Sequence, residues 1–282
     1  MNTDALTPRA LILAQARRFE AAGIPDPLTD AAALLAHVTG KHALSLRLDT
    51  DSRLSAAALH EYETLCRRRL DREPLQWILG TQSFLGHDFE VCRDVLIPRP
   101  ETELLAEQAI ARLQVLPAPR VLDLCCGSGC IAVSLALALP GASVTGSDLS
   151  AEALAVAARN AMRLGAQVRF VRSDLFTDID SGPFDLIVSN PPYIPSAVCE
   201  TLQEEVRREP LMALDGGPDG LDFYRRIVKE APSHLASGGR LLLETGHNQH
   251  TAVAALLAEN GFREIHPLYD YAGIPRITEA VC

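Results

Sequence analysis

Apolar positions in the first eighty residues recur at the spacing of helices that bury one face. Thr7-Pro8 supplies a cap and a first-turn proline ahead of Leu11, Ile12, Ala14 and Phe19, and Gly23 closes that stretch. Asp26 to Thr29 open a second segment, Ala31 to Val38, which Gly40 ends. A third begins near Ser55 and carries Leu59, Tyr62, Leu65, Cys66 and Leu70, with Arg67, Arg68 and Arg69 at the end where cations suit the helix dipole. The pattern predicts a small helical domain over residues 1–80. From Ser83 the period shortens: Phe84 and Leu85, a Gly86-His87-Asp88 turn, then Phe89 and Val91 predict a hairpin connector over 81–98. Beyond Pro98-Arg99-Pro100, strand-like runs alternate with helical ones. The predicted strands are Val121–Leu124, Ser143–Asp148, Val168–Arg172, Phe184–Ser189, Arg240–Glu244 and Arg263–Pro267. Strand, helix, strand at this spacing implies an α/β fold with a doubly wound, parallel, Rossmann-like sheet over 99–282.

Composition narrows the class. The 282 residues are 48% apolar and 22% charged, which excludes disorder and suits two domains of ordinary size. No apolar run approaches the roughly 18 residues that span a bilayer. The first residues lack the basic-then-apolar order of a secretory signal, so a cytoplasmic protein without membrane contact is expected. The net charge of −10 is uneven: residues 1–85 hold ten basic and ten acidic side chains, and 86–282 hold sixteen and twenty-six. That acidic second part argues against phosphate-driven binding of nucleic acid. The seven cysteines form no C-x-x-C pair and the eight histidines no H-x-x-x-H pair, so neither a disulfide framework nor a metal site is expected.

The segment VLDLCCGSGCIAVSLALAL runs from a strand through Gly127-Ser128-Gly129 into a helix. Such a turn lets backbone N–H groups approach a ligand at a helix N-terminus, although a glycine turn also serves tight packing. Asp148, 25 residues after Asp123 and at the end of the next strand, can accept both ribose hydroxyls of a nucleoside. Position 132 is Ala, so the dinucleotide fingerprint is incomplete. Asp123 would repel a phosphate and suits an ammonium group, which points to S-adenosylmethionine rather than NAD. Ser173-Asp174-Leu175-Phe176 closes the third strand, where a polar group and apolar surface fit an adenine; Asp174 is alternatively a helix cap.

After FDLIVS comes Asn190-Pro191-Pro192-Tyr193. Two prolines end the strand and fix the backbone. The Asn190 side-chain oxygen and the Pro191 carbonyl can accept both N–H groups of a planar amino group, while Tyr193 stacks on its plane. No general base is evident, and none is required: a nitrogen that has gained a methyl group and a positive charge loses its proton readily to water. Arg99 and Glu101 line such a site or anchor the hairpin connector, Glu244 is a cap or a cofactor-side contact, and Arg207, Arg208, Arg225 and Arg226 read as solvated helix faces.

Asp123 through Gly129 together with Asn190-Pro191-Pro192-Tyr193 resemble S-adenosylmethionine-dependent amino methyltransferases, a superfamily that includes adenine-N6 enzymes. Glu73 to Gly80 (EPLQWILG), Leu96 to Glu103 (LIPRPETE) and Gly217 to Tyr224 (GPDGLDFY) resemble more narrowly the peptide chain release factor glutamine N5-methyltransferase family, from about residue 8 to the C-terminus. The resemblance implies a Rossmann-like methyltransferase sheet behind a small N-terminal helical domain that recognises the partner. It implies methylation of the side-chain amide of the glutamine in the Gly-Gly-Gln loop of class 1 release factors; a monomer without direct nucleic-acid contact is expected. It puts the cofactor loop on Cys125, Cys126, Gly127, Ser128 and Gly129, the ribose ligand on Asp148, the adenine-side contact on Leu175 and the joint cofactor and substrate contact on Asn190. Cys125-Cys126 and the aliphatic Leu175 depart from the family's usual residues. The competing readings are an adenine-N6 methyltransferase, which would need a basic groove, and a cofactor-binding module without activity.

Overall fold

The computed structural model describes residues 7–180 and 182–282. The chain divides into two compact units: residues up to Gly80 together with Glu204–Arg208, and Thr81–Gln203 together with Glu209–Cys282. The hairpin thus belongs to the second unit, and a short later segment belongs to the first.

The first unit is helical, with α1 (Pro8–Ala21), α2 (Pro27–Thr39), α3 (Ala43–Leu48), α4 (Ala56–Leu70) and α5 (Leu75–Leu79). Thr7 and Ser55 cap α1 and α4 through hydroxyls that accept from Ala10 N and Ala58 N, each at 3.2 Å. The periodicity above does not mark α3 and α5, which at six and five residues are too short to show one. Phe19, Leu34, Leu35, Leu46, Tyr62 and Ile78 fill the core. The buried Arg69 guanidinium donates to Asp30 Oδ2 at 2.7 Å and to Glu205 Oε1 at 2.8 Å, and Arg72 donates to Glu205 Oε2 at 2.7 Å. These bonds fasten the Glu204–Arg208 segment to the helices.

The second unit opens with the antiparallel hairpin β1 (Thr81–Phe84) and β2 (His87–Glu90). Its turn is Leu85-Gly86, both at positive φ, so His87 pairs with Phe84 rather than sitting in the turn. Then follow α6 (Pro100–Leu113), β3 (Arg120–Leu124), α7 (Cys130–Ala138), β4 (Ser143–Asp148), α8 (Ala151–Leu164), β5 (Val168–Arg172) and β6 (Phe184–Ser189). The chain ends with α9 (Ser196–Cys199), α10 (Asp222–Glu230), β7 (Leu235–Glu244), α11 (His250–Glu259), β8 (Arg263–Tyr269) and β9 (Pro275–Val281). The sheet order is β5-β4-β3-β6-β7-β9-β8. Strands β3 to β7 are parallel; β9 inserts antiparallel between β7 and β8, so the far edge departs from the all-parallel expectation. Strand β9 is absent from the sequence pattern because Pro275 opens it and Glu279 interrupts its apolar run. Glu279 is tolerated there because Arg112 of α6 and Arg240 of β7 donate to its carboxylate at 2.8–3.0 Å.

Both sheet faces are covered. Val121, Val188 and Leu242 join one core cluster with Leu105, Val133 and Leu135, and Leu122, Leu124, Ile187, Leu241 and Leu243 join the other with Tyr224, Ile227 and Val253. The alternation along each strand is the two-residue period of a pleated chain. Among the described residues no helix is long and apolar enough to cross a membrane.

Candidate active site

The winding direction reverses between β3 and β6, the place where open α/β sheets hold their ligands at the carboxyl ends of the strands. Leu124 pairs with Ser189, so the loops that follow, one from Cys125 and one from Asn190, begin level with each other. Ser189 Oγ donates to Leu124 O at 2.8 Å and ties the two strand ends together. A cavity of about 520 Å³ opens there, within the size range of a small-molecule site.

Of the residues singled out by sequence, Cys125, Gly127, Asp148, Asp174, Leu175, Asn190 and Pro192 line this cavity. Cys125 and Leu175 are non-glycine residues held in the left-handed region, at φ 59° and 52°, and both stand on its wall. Such strain gathers where loops are shaped for a ligand. Gly127 has open space where a Cβ would point, whereas a Cβ on Gly129 would come within 2.9 Å of Ala157 Cβ. One glycine faces the cavity and the other lets α7 and α8 approach.

Asp148 fixes this loop. Its Oδ2 accepts from Gly127 N and its Oδ1 from Ser150 N, both at 2.9 Å, and each oxygen keeps a second lone-pair direction. Burial pushes its carboxyl above the usual range, against the pull of those backbone N–H groups. Ser173 Oγ donates to Leu175 O and accepts from Asp178 N, which shapes the next loop, and Asp174 pairs with Arg226 at 2.8 Å rather than capping a helix.

Asp123, Cys126, Ser128, Gly129, Pro191 and Tyr193 do not line the cavity. Asp123 shares the face of β3 that carries Val121, and its fully buried carboxyl accepts from Ala132 N at 3.0 Å while Oδ1 has no hydrogen-bond partner among the described residues. Burial pushes that carboxyl well above the usual range. Through Oδ2 it fastens the start of α7 beneath the loop. Cys126 N donates to Ser147 O, and Ser128 O accepts from Asn160 Nδ2. Tyr193 packs against the second core cluster, its carbonyl accepting from Gln249 Nε2 at 2.8 Å, and burial pushes its phenol up.

Asn190 Nδ2 donates to Thr102 Oγ1 at 3.1 Å, and Thr102 Oγ1 donates to Glu244 Oε2 at 2.7 Å. Asn190 Oδ1 accepts no hydrogen bond among the described residues. Sequence reasoning did not single out Thr102, whose only signal is its place in the LIPRPETE string. It also missed the wall formed by Val95 and Pro210 to Ala213, while Leu96 and Phe223 join that wall from the LIPRPETE and GPDGLDFY strings. Arg99 is an anchor here: it pairs with the buried Glu209, which also accepts from Ile97 N at 2.9 Å.

Fold and site together define a methyltransferase: residues 101–207 match the methyltransferase small domain family, and residues 11–80 match the PrmC N-terminal domain family. The fold is shared with a methyltransferase from Pyrococcus furiosus, at 19% identity and a TM-score of 0.53 over 71% of this chain and 90% of that one. A release factor glutamine methyltransferase from Geobacter sulfurreducens is 46% identical over 256 residues, covering 90% of this chain and 89% of the relative. One from Bordetella pertussis is 47% identical over 254 residues, covering 89% and 94%. The chain belongs to the release factor glutamine methyltransferase family.

Proposed function

We propose that this protein methylates the side-chain amide nitrogen (N5) of the glutamine in the Gly-Gly-Gln loop of class 1 peptide chain release factors, with S-adenosylmethionine as methyl donor. It acts as a cytoplasmic monomer without direct contact to nucleic acid or membrane, and the helical unit, residues 1–80, recognises the release factor. Family membership supports the reaction, and one observation carries the site: the Asn190 side chain stands on the cavity wall, tied by its Nδ2 and with its Oδ1 free among the described residues.

The residues present fit the cofactor. Asp148 holds a free lone-pair direction on each oxygen for a ribose diol, Gly127 leaves its backbone open to the cavity, and Leu175 with the neighbouring Asp174 offers apolar and polar surface for a base. When bound, S-adenosylmethionine supplies an electrophilic methyl group. The chain's own part is positioning. Asn190 Oδ1, on the cavity wall, accepts one amide N–H group; the Pro191 carbonyl takes the other and Tyr193 bounds one face of the amide plane as the acceptor enters past the cavity lining, with the two prolines holding the acceptors in place. The amide nitrogen is a weak nucleophile because its lone pair is delocalised, so a fixed orientation is what the site has to give. The nitrogen's surplus proton passes to water after methylation.

Incubation with labelled S-adenosylmethionine and a release factor should label the wild-type factor and leave its Gln→Ala loop variant unlabelled. Equal label on both would overturn the proposal, and label on adenine after incubation with nucleic acid would replace it with the base-methylating reading.

A further inference from the structure

We infer that Glu244, acting through Thr102, is the positioning residue that decides which end of the Asn190 amide faces the acceptor, with the ionised carboxylate as the competent form. The inference deepens the proposed function and rests on it.

The Thr102 hydroxyl has a single hydrogen. It lies 2.7 Å from Glu244 Oε2 and 3.1 Å from Asn190 Nδ2. An ionised carboxylate only accepts, so that hydrogen is committed to Glu244. The Thr102 oxygen then offers Asn190 a lone pair, which an amide can meet only with its NH2 group. Asn190 Oδ1 is left for the acceptor, and its polarity suits an N–H donor. A protonated Glu244 permits the opposite chain: its own hydrogen goes to Thr102 Oγ1, the Thr102 hydrogen goes to Asn190 Oδ1, and the Asn190 NH2 is presented to the acceptor NH2. Donor then faces donor and the acceptor amide is not held.

Water does not blur this relay, since Thr102 and Glu244 are each 2% exposed. Glu244 is anchored besides by its backbone carbonyl, which accepts from Tyr224 Oη at 2.7 Å. Burial pushes the Glu244 carboxyl up; the Thr102 bond holds it down, Glu101 pushes it up further, and Arg276 and Arg99 hold it down, leaving it at about 7. The other titratable groups facing it are Tyr193 of the acceptor loop, Tyr224 of α10 and Cys130 of α7. Burial pushes both phenols up and the Cys130 thiol up to about 12, so these three stay neutral where Glu244 titrates.

The test measures kcat for release-factor methylation between about pH 6 and 9, with both substrates saturating, for the wild type, Glu244→Gln, Thr102→Val and Thr102→Ser. The wild-type kcat should rise with pH through a step near 7. Glu244→Gln and Thr102→Val should each lose the step and about 10-fold or more of kcat at the upper plateau, with cofactor affinity by calorimetry within about threefold of wild type. Thr102→Ser keeps the hydroxyl and should restore both rate and step. If Thr102→Val keeps the wild-type step, or Thr102→Ser and Thr102→Val lose rate alike, the inference is overturned. Should Glu244→Gln fail to fold, the Thr102 pair decides the matter. A wild-type protein that leaves release factor unlabelled sinks the proposed function itself, whereas activity that depends on Asn190 but ignores Thr102 and Glu244 sinks only the relay.

Discussion

Replacing Asp148 by Asn changes one atom type and tests how the cofactor half of the site is held. In the wild type each carboxylate oxygen accepts one backbone N–H, from Gly127 and from Ser150, and keeps one direction toward the cavity. An amide has one oxygen. If it stays on Ser150 N, the new NH2 group meets the Gly127 N–H donor to donor and one ribose hydroxyl loses its acceptor. A hydrogen bond to a charged group contributes about 1.5–3 kcal/mol, so the loss at the ribose should raise the cofactor Kd about 10- to 150-fold. The unpaired Gly127 N–H falls on the fold instead, at about 1 kcal/mol or a little more, which lowers Tm by about 2–4 °C in a domain of this size. Calorimetric titration with S-adenosylhomocysteine and a thermal melt separate the two effects. Because burial raises the Asp148 carboxyl, wild-type affinity should also fall as pH is lowered through that raised range, and the Asn variant should not show the fall. A variant that binds within about threefold of wild type would refute the ribose assignment.

Further variants probe the glycine loop, the far edge of the sheet and the helical unit. Gly129→Ala places a Cβ 2.9 Å from Ala157 Cβ at φ 79°, so stability should fall by about 2–3 kcal/mol, and adding Ala157→Gly should recover the steric part but not the backbone part in a urea melt. Burial pushes the Glu279 carboxyl up, but the bonds from Arg112 and Arg240 outweigh it and hold it below the usual range. Its contribution to stability is thus present above the unfolded pKa and lost as pH falls through the folded one. Glu279→Gln should cost about 2 kcal/mol near neutrality, with the gap to wild type closing in acid melts; a gap that persists at low pH would refute the ionic account. Leu44 and Leu48 lie one turn apart on α3, 57% and 67% exposed. If the helical unit recognises the release factor, changing both to Glu should raise KM for the factor about fivefold or more, with cofactor Kd unchanged; an unchanged KM speaks against that surface.

The parts of the fold legible in the sequence are those decided locally. VLDL and FDLIVS lie between two layers of helices and α7 packs its apolar residues onto one face of the sheet, so their strand and helix character shows in runs dominated by apolar residues. Strand β9 was not legible because the charge that disguises it, Glu279, is neutralised by Arg112, 167 residues away, and by Arg240, 39 residues away. The candidate site divides the same way. Asp148 ends β4 and Asn190 directly follows β6, both at the carboxyl edge of the sheet beside the switch point, where position alone predicts exposure to a ligand. Asp123 also lies near a strand end, but with its neighbours Leu122 and Leu124 facing the opposite core, its Oδ2 accepts from the start of α7. A string of letters shows an acid near a strand end without showing which face carries it. Thr102 and Glu244 were harder still, since their role exists only in the bond between an α6 residue and a β7 residue 142 positions apart.

The two halves of the site are fastened by different parts of the sheet, and this bears on how binding and orientation can be separated in one small cavity. The glycine loop after β3 is held from the β4 side, through Asp148 and through Cys126 N on Ser147 O. The acceptor loop after β6 is held from the β7 side, through Asn190, Thr102 and Glu244. The ends of β3 and β6 meet through Ser189, whose hydroxyl donates to Leu124 O and whose side chain also faces the Cys125 thiol. A change in the orientation of one half reaches the other through the Ser189 side chain and the ladder between two parallel strands. In the proposed relay the acid that orients Asn190, Glu244, is a different residue from the acid that holds the glycine loop, Asp148. Were the acid that orients Asn190 also the acid that holds the ribose, any change that tuned one step would tune both.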